Sequence, residues 1–349
     1  MVVRSSVSMK DVATLAGVSV GTVSNVLNSP DLVSPTTRER VRQAIDKLGW
    51  VRNESARQLR AGRSRSVGMV VIDIANPFFT DVVLGAEDHF HQAGYAVHVG
   101  NSAQTAEREV AHLALFEEQR VRGILLAPIR EMTERIAELR RRGIAVVLVD
   151  QTNGNDTCSV GVDDLEGGRL AAQHLIDQGH RSIAFVGGPS TLHQVRDRRT
   201  GTELACARAP QPVILLAIST PSLDVESGIR AAAELVALPD GERPTAVFAA
   251  NDLVAIGLLQ GFVTAGVRVP DDMAIIGYDD ITFAAAAAVP LSSIRQPRSE
   301  LGRRAAELLL AEIEADDNDG SHTHEQVRFM PELVARRSTL APTRGRRTS

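Results

Sequence analysis

Cysteine is nearly absent from this chain of 349 residues, with Cys158 and Cys206 the two present. Two thiols cannot form the disulfide framework of a small secreted domain, and their spacing does not fit a zinc site. Long apolar runs are also missing. None approaches the ~20 residues needed to span a bilayer, so no membrane partner is expected. The opening Met-Val-Val-Arg-Ser-Ser has no apolar export core, which leads to the expectation of a soluble, cytoplasmic protein. Neither G-x-G nor G-K-[ST] occurs, which removes the phosphate cradles of dinucleotide- and nucleotide-dependent enzymes. No leucine heptads follow Arg337, so a tetramerising tail is not expected. His89 with His91 and His322 with His324 stand two apart in polar contexts and read as solvated side chains; neither a metal nor a cofactor is expected.

What is present is unevenly distributed. The net charge of −5 argues by itself against nucleic acid, but residues 1–65 hold 11 Lys and Arg against 5 Asp and Glu, and the remainder 27 against 38. A basic head on an acidic body is the footprint of a localised polyanion-binding module.

Two short helical patterns meet within that head at Gly17-Val18-Ser19. Val12, Leu15 and Ala16 line one face before the junction, and Val23, Val26 and Leu27 line one after it. Ser8 with Asp11 fits a start cap for the first helix, Gly17 supplies the bend, and Ser19 caps the second. The result is a helix-turn-helix. Its second helix offers Val20, Gly21, Thr22, Ser24 and Asn25, all small or polar, to the major groove of double-stranded DNA. The same stretch spells G-x-S-x-G, but a nucleophile elbow needs a preceding buried strand and here a helical pattern precedes it, so no catalysis is expected. Ser34-Pro35 starts a third helix, in which Val41, Ala44, Ile45 and Leu48 recur at helical spacing up to Gly49. The headpiece is expected over 8–52. Residues 53–66 then give a helical pattern of one to two turns and a basic linker, too short to be stable alone.

From Val67 the pattern changes to short apolar runs alternating with helical stretches: Val67–Ile72, Ala96–Gly100, Gly123–Ala127, Ala145–Asp150, Ser159–Val162, Ile183–Gly187, Ala246–Ala250 and Met273–Tyr278. Buried parallel strands with crossover helices follow, and their number suits two doubly wound α/β sheets side by side. Polar residues recur at the ends of these runs, among them Asn76, Asn101, Asp150, Asn251 and Asp279. Singly each reads as a helix cap; together they suit a cleft for a polar small molecule.

Taken in order, Lys10–Asn28, Asn53–Arg60, Asn76-Pro77-Phe78-Phe79, Ala249–Asp252, Gly277–Asp280, Arg295–Pro297 and Leu301-Gly302 make the chain resemble the LacI–GalR family of transcription regulators over nearly its whole length. The resemblance implies a homodimeric repressor on a pseudo-palindromic operator, with a periplasmic-binding-protein-like core over 67–340. One lobe would take about 67–162 and 291–323, the other about 163–290 and 324–340, with crossings near Asp163, Pro290 and His324. It implies a hinge helix in the minor groove, where Leu59 wedges between bases and Ala56 packs nearby. It also implies effector contacts from Phe78, Phe79, Asn101, Asp150, Arg196, Asn251, Asp279 and Gln296, with a sugar as the expected effector.

The chain departs from the family at Asn25, where arginine is frequent, at Gly21, where a larger side chain is common, and at Leu223, where some sugar-binding relatives place an aromatic platform. Residues 202–222 receive no role. The alternative is a small-molecule binding protein that does not touch DNA, which would leave the basic head without a use.

Overall fold

A computed structural model describes residues 7–50, 64–151, 156–318 and 320–340. The chain divides into two units, residues 1–63 and residues 64–349.

The first unit is built from strong local signals. Helix α1 (Met9–Ala16) opens with a reciprocal cap: Asp11 N donates to Ser8 Oγ at 3.4 Å and Ser8 N to Asp11 Oδ2 at 2.8 Å. It ends at Gly17, whose φ of +64° is the left-handed conformation that glycine adopts freely. Helix α2 (Val20–Asn28) starts where Ser19 Oγ accepts from Thr22 N at 3.0 Å, and α3 (Pro35–Leu48) starts at Ser34 with proline in its first turn. Val12, Ala13, Ala16, Val23, Val26, Val41, Ala44 and Trp50 form the core. Leu15, expected to face inward, is 45 % exposed. At about 100° per residue it lies roughly 60° from Val12 but about 100° from Ala16 and about 160° from Ala13, off the edge of the buried stripe. Trp50 closes the core from beyond α3, and Arg40 Nη2 holds the turn by donating to Gly17 O at 3.1 Å.

The second unit contains two six-stranded sheets. Lobe 1 is built on β1 (Ser66–Val71), β2 (Ala96–Asn101), β3 (Gly123–Leu126), β4 (Ala145–Val149), β5 (Ser159–Val162) and β11 (Gln326–Phe329), in the order β11-β5-β4-β3-β1-β2, all parallel. Lobe 2 is built on β6 (Ser182–Val186), β7 (Ile214–Ile218), β8 (Ala246–Ala249), β9 (Ala274–Asp279), β10 (Ser292–Arg295) and β12 (Glu332–Val334), in the order β12-β10-β9-β8-β6-β7, with β12 antiparallel. Central strands such as β1, β4 and β9 are buried along their whole length, which explains their unbroken apolar runs.

Three helix pairs cross at facing glycines. In lobe 1, α4 (Pro77–Gln92) meets α12 (Arg298–Asp317) at Gly85 and Gly302; a Cβ on Gly302 would lie 1.9 Å from Val82 O. In lobe 2, α7 (Asp164–Asp177) meets α8 (His193–Arg208) at Gly168 and Gly201, and α9 (Val225–Ala237) meets α10 (Asp252–Thr264) at Gly228 and Gly257. These close approaches fix the helices on the sheet faces and thereby the strand ends.

The first passage between the lobes lies between β5 and α7. The other two fall later than the expected Pro290 and His324. Residues 292–295 still pair in the lobe 2 sheet, with Ser293 opposite Gly277, and 326–329 still pair in the lobe 1 sheet, with Gln326 opposite Ser159. The crossings therefore lie at Gln296-Pro297 and Met330-Pro331. In β10 the buried Ser292 and Ser293 conceal a strand that has no apolar run. Strand β7 lies within the stretch that received no role, at a sheet edge and only partly buried.

Candidate nucleic-acid interface and effector cleft

On α2 the side turned away from the headpiece core carries Val20, Gly21 and Asn25, all exposed, with Thr22 and Ser24 half-buried. The hydroxyls of Ser19 and Thr22 lie 2.9 Å apart, and Ser24 Oγ accepts from Asn28 Nδ2 at 3.1 Å. A Cβ on Gly21 would meet nothing closer than Ser19 Oγ at 3.6 Å, so the face stays low around Asn25. Ala56 and Leu59 lie outside the described residues.

In the second unit, polar strand ends of both lobes meet. Asp150 follows β4 with φ +61° and Asp279 ends β9 with φ +106°, so both carboxylates sit on left-handed backbone of a kind that clusters at functional sites. Across the lobes, Gln194 Nε2 donates to Asp150 Oδ2 at 3.1 Å and Asn76 Nδ2 to Asp279 Oδ2 at 3.3 Å. Gln296, at the crossing just after β10, donates to Asp279 Oδ1 at 2.7 Å. Burial, aided by the charge of Asp164, pushes Asp150 well above the usual carboxylate range. Burial pushes Asp279 up to about 6 against the opposing pull of Arg198.

The cation of this group is Arg198, 3 % exposed. It donates from Nε to Asp164 Oδ1 at 2.8 Å and from Nη1 to Ala250 O at 2.7 Å, with its guanidinium 3.7 Å from the centre of the Tyr278 ring. Burial disfavours its charge, but Asp164, Tyr278, Asp279 and Asp150 together hold it protonated. Three buried acceptors here have no hydrogen-bond partner: Asp150 Oδ1, Gln194 Oε1 and Gln296 Oε1. Buried polar atoms are seldom left unpaired without a role.

The structure brings together Asp150, Asp279 and Gln296, but not Arg196. That residue is exposed and lines a separate groove of about 260 Å³ on lobe 2, with Arg199, Thr200 and Glu203. Two helical positions apart is about 200° around the axis, so Arg196 and Arg198 face nearly opposite ways. The signal that could have separated them was the run Arg198, Gly201, Thr202 and Ala205, a buried stripe on α8.

Asn251 is buried but occupied within its own lobe, capping α10 through Val254 N at 2.9 Å and holding Leu223 O at 3.2 Å. Asn101 Oδ1 accepts from Ile74 N and Ala103 N, so it shapes the loop that presents Gln104 across the lobes to Leu223 N at 3.3 Å. Phe78 and Phe79 are buried on α4, edge to face with centroids 4.9 Å apart. Sequence reasoning missed Gln194, His193 and Gln104, whose positions depend on the lobes meeting. His193 Nε2 lies 2.7 Å from Asp150 O. His322 and His324, read as solvated, are half-buried against Cys158 and Glu312.

A helix-turn-helix unit with a polar outer face, joined to a two-lobed α/β unit with charged groups between its lobes, defines a ligand-responsive DNA-binding regulator. Comparisons with known proteins agree. The family described as bacterial regulatory proteins, lacI family, matches residues 8–53, and the periplasmic binding protein-like domain matches residues 172–339. The HTH-type transcriptional repressor PurR of Photobacterium profundum is 34% identical over 334 residues, covering 95% of this chain and 98% of the relative. The lac repressor dimer bound to operator and the anti-inducer ONPF superposes with a TM-score of 0.80 at 28% identity, covering 97% of this chain and 100% of that one. The transcriptional regulator CelR–cellobiose complex gives a TM-score of 0.69 at 31% identity, covering 95% of this chain and 99% of that one. The chain belongs to the lacI family; it is a DNA-binding transcription regulator, not an enzyme. No helix among the described residues is long and apolar enough to cross a membrane.

Proposed function

We propose that this regulator acts in the cytoplasm as a homodimeric repressor whose grip on a pseudo-palindromic operator is set by a small polyhydroxylated effector, a sugar, held between the lobes. The carrying observation is the buried group of Asp150, Arg198 and Asp279 beside the unpartnered acceptors of Asp150, Gln194 and Gln296. Carboxylate and amide oxygens accept from vicinal hydroxyls, and a guanidinium donates to them. Phe78 and Phe79 supply an apolar wall. Support for the sugar comes from the cellobiose bound by CelR, and support for dimer and operator from the lac repressor complex.

In this reading Val20, Gly21, Thr22, Ser24 and Asn25 read the major groove, and Ala56 and Leu59 act in the minor groove. The effector works through its different affinity for the two lobe arrangements, worth about 1–3 kcal/mol of coupling. Selection of an operator from a random duplex pool, followed by calorimetry of the full chain with a panel of sugars and nucleobases, tests it. One sugar should bind and shift operator affinity roughly five- to 150-fold. A response confined to purines would reject the sugar.

A further inference from the structure

Outside the effector group, four side chains with metal-ligating atoms converge on lobe 1. Cys158 directly precedes β5, Glu312 lies on α12, and His322 and His324 precede β11. One ligand atom from each lies within 4.8 Å of the other three. Cys158 Sγ is 3.1 Å from His322 Nε2 and 3.6 Å from His324 Nδ1. In a tetrahedral zinc site with bonds of about 2.0–2.3 Å, neighbouring ligand atoms stand roughly 3.3–3.8 Å apart, so small side-chain adjustments suffice.

The surroundings fit an ion as well. Glu312 is 5 % exposed; its Oε1 accepts from Arg140 Nη2 at 2.9 Å, while its Oε2 has no hydrogen-bond partner. A buried carboxylate fixed by one oxygen and unsatisfied at the other has the geometry of a ligand oriented by an outer hydrogen bond. Glu325 N donates to Cys158 Sγ at 3.4 Å, as amides do to metal-bound thiolates. His322 and His324 stand two apart in the segment that leads into β11, their ring centroids 5.3 Å apart. The two histidines are half-buried, which leaves a path for an ion.

We propose that Cys158, Glu312, His322 and His324 form a tetrahedral site for a divalent transition metal of the zinc class. One thiolate, two imidazoles and one carboxylate select zinc or cobalt over magnesium or calcium, which take oxygen ligands. The ion would tie together the starts of β5 and β11, the two lobe 1 strands whose far ends lead across to lobe 2.

The test uses the untagged full chain, stripped with a chelator and titrated with Co²⁺. One equivalent should give the intense visible bands of a tetrahedral ion and a thiolate-to-cobalt charge-transfer band, both abolished by one equivalent of Zn²⁺. Cys206→Ser should leave the spectrum unchanged. Cys158→Ser should remove the charge-transfer band, and Glu312→Gln or His322→Asn should weaken binding at least tenfold. His322 is partly exposed, so its variant keeps the test decisive where Cys158→Ser fails to fold by circular dichroism. No saturable binding near one equivalent, a spectrum without the sulfur band, or unchanged affinity in folded His322→Asn overturns the proposal.

Discussion

Asn76 and Asp279 join the two lobes through a single amide: Asn76 Nδ2 donates to Asp279 Oδ2 at 3.3 Å, while its Oδ1 caps α4 by accepting from Phe78 N at 3.0 Å. One side chain thus fixes a lobe 1 helix start and holds the strand-end carboxylate of lobe 2. Asn76→Asp keeps the cap and replaces the donor with a like charge. A hydrogen bond to a charged group contributes about 1.5–3 kcal/mol, so effector affinity should fall at least tenfold, read by calorimetry at neutral pH. Unchanged affinity would show that the lobes do not close through this pair.

The same carboxylate sets a pH dependence. Burial raises Asp279 from 3.8 to about 6 in the folded chain, so the folded form binds a proton that the unfolded form has released. Its contribution to stability is full below about 4 and is lost as pH rises through 6. Asp150 and Asp252 are shifted in the same direction, both mainly by burial. Effector binding runs oppositely, because protonation removes an acceptor from the cleft. Affinity should hold above pH 6 and weaken by up to about tenfold per unit below it. Calorimetric titrations from pH 5 to 8 read the slope, and a flat profile would remove the ionised Asp279 from the contact.

Arg198 and Arg196 separate the cleft from the outer surface of the same helix. Arg198→Lys retains a positive charge but loses the fork that reaches Asp164 and Ala250 together, so the effector's shift of operator affinity should disappear. Arg196→Ala should leave both effector affinity and operator affinity within twofold. Gel-shift assays with and without effector compare the two. Equal effects from both would reject the assignment.

Helix packing gives a prediction about stability alone. At Gly302 an added Cβ would press 1.9 Å from Val82 O, a backbone atom that cannot rotate away. Gly302→Ala should destabilise lobe 1 by about 1–3 kcal/mol, the usual cost of overpacking, and lower the thermal midpoint. Gly143→Ala is not a matched control, because Gly143 sits at φ +77°. Gly241→Ala, in open space, is; its midpoint should move far less.

What the sequence disclosed was local. The headpiece caps were legible because Ser8, Ser19 and Ser34 act on amides three residues ahead, and the strands because both faces of a parallel sheet are buried. What stayed hidden depends on contacts distant along the chain. Strand β10 looks polar until Ser293 Oγ is seen donating to Asp252 Oδ1 at 2.7 Å and Ser292 N to Ser338 Oγ at 2.8 Å. Cys158 and His322 are 164 positions apart and give no spacing signature. Among Arg196, Arg198 and Arg199, the partners that bury Arg198, namely Asp164 on α7, Ala250 and Tyr278, are all distant along the chain.

Base reading by α2 supplies the remaining prediction. Asn25 is exposed, and asparagine pairs in two-pronged fashion with adenine N6 and N7, whereas arginine pairs with guanine O6 and N7. Gly21 keeps the surrounding surface low enough for a longer side chain to lie flat. Asn25→Arg should therefore change one position in each half-site from adenine to guanine while leaving the others as they were, with discrimination of about 1–3 kcal/mol at that position. The added charge should also steepen the salt dependence of binding by about one ion per headpiece. Selection from a random duplex pool, run in parallel for both proteins, reads the first effect, and binding across a salt series reads the second. Identical selected sequences would mean that Asn25 does not touch a base edge.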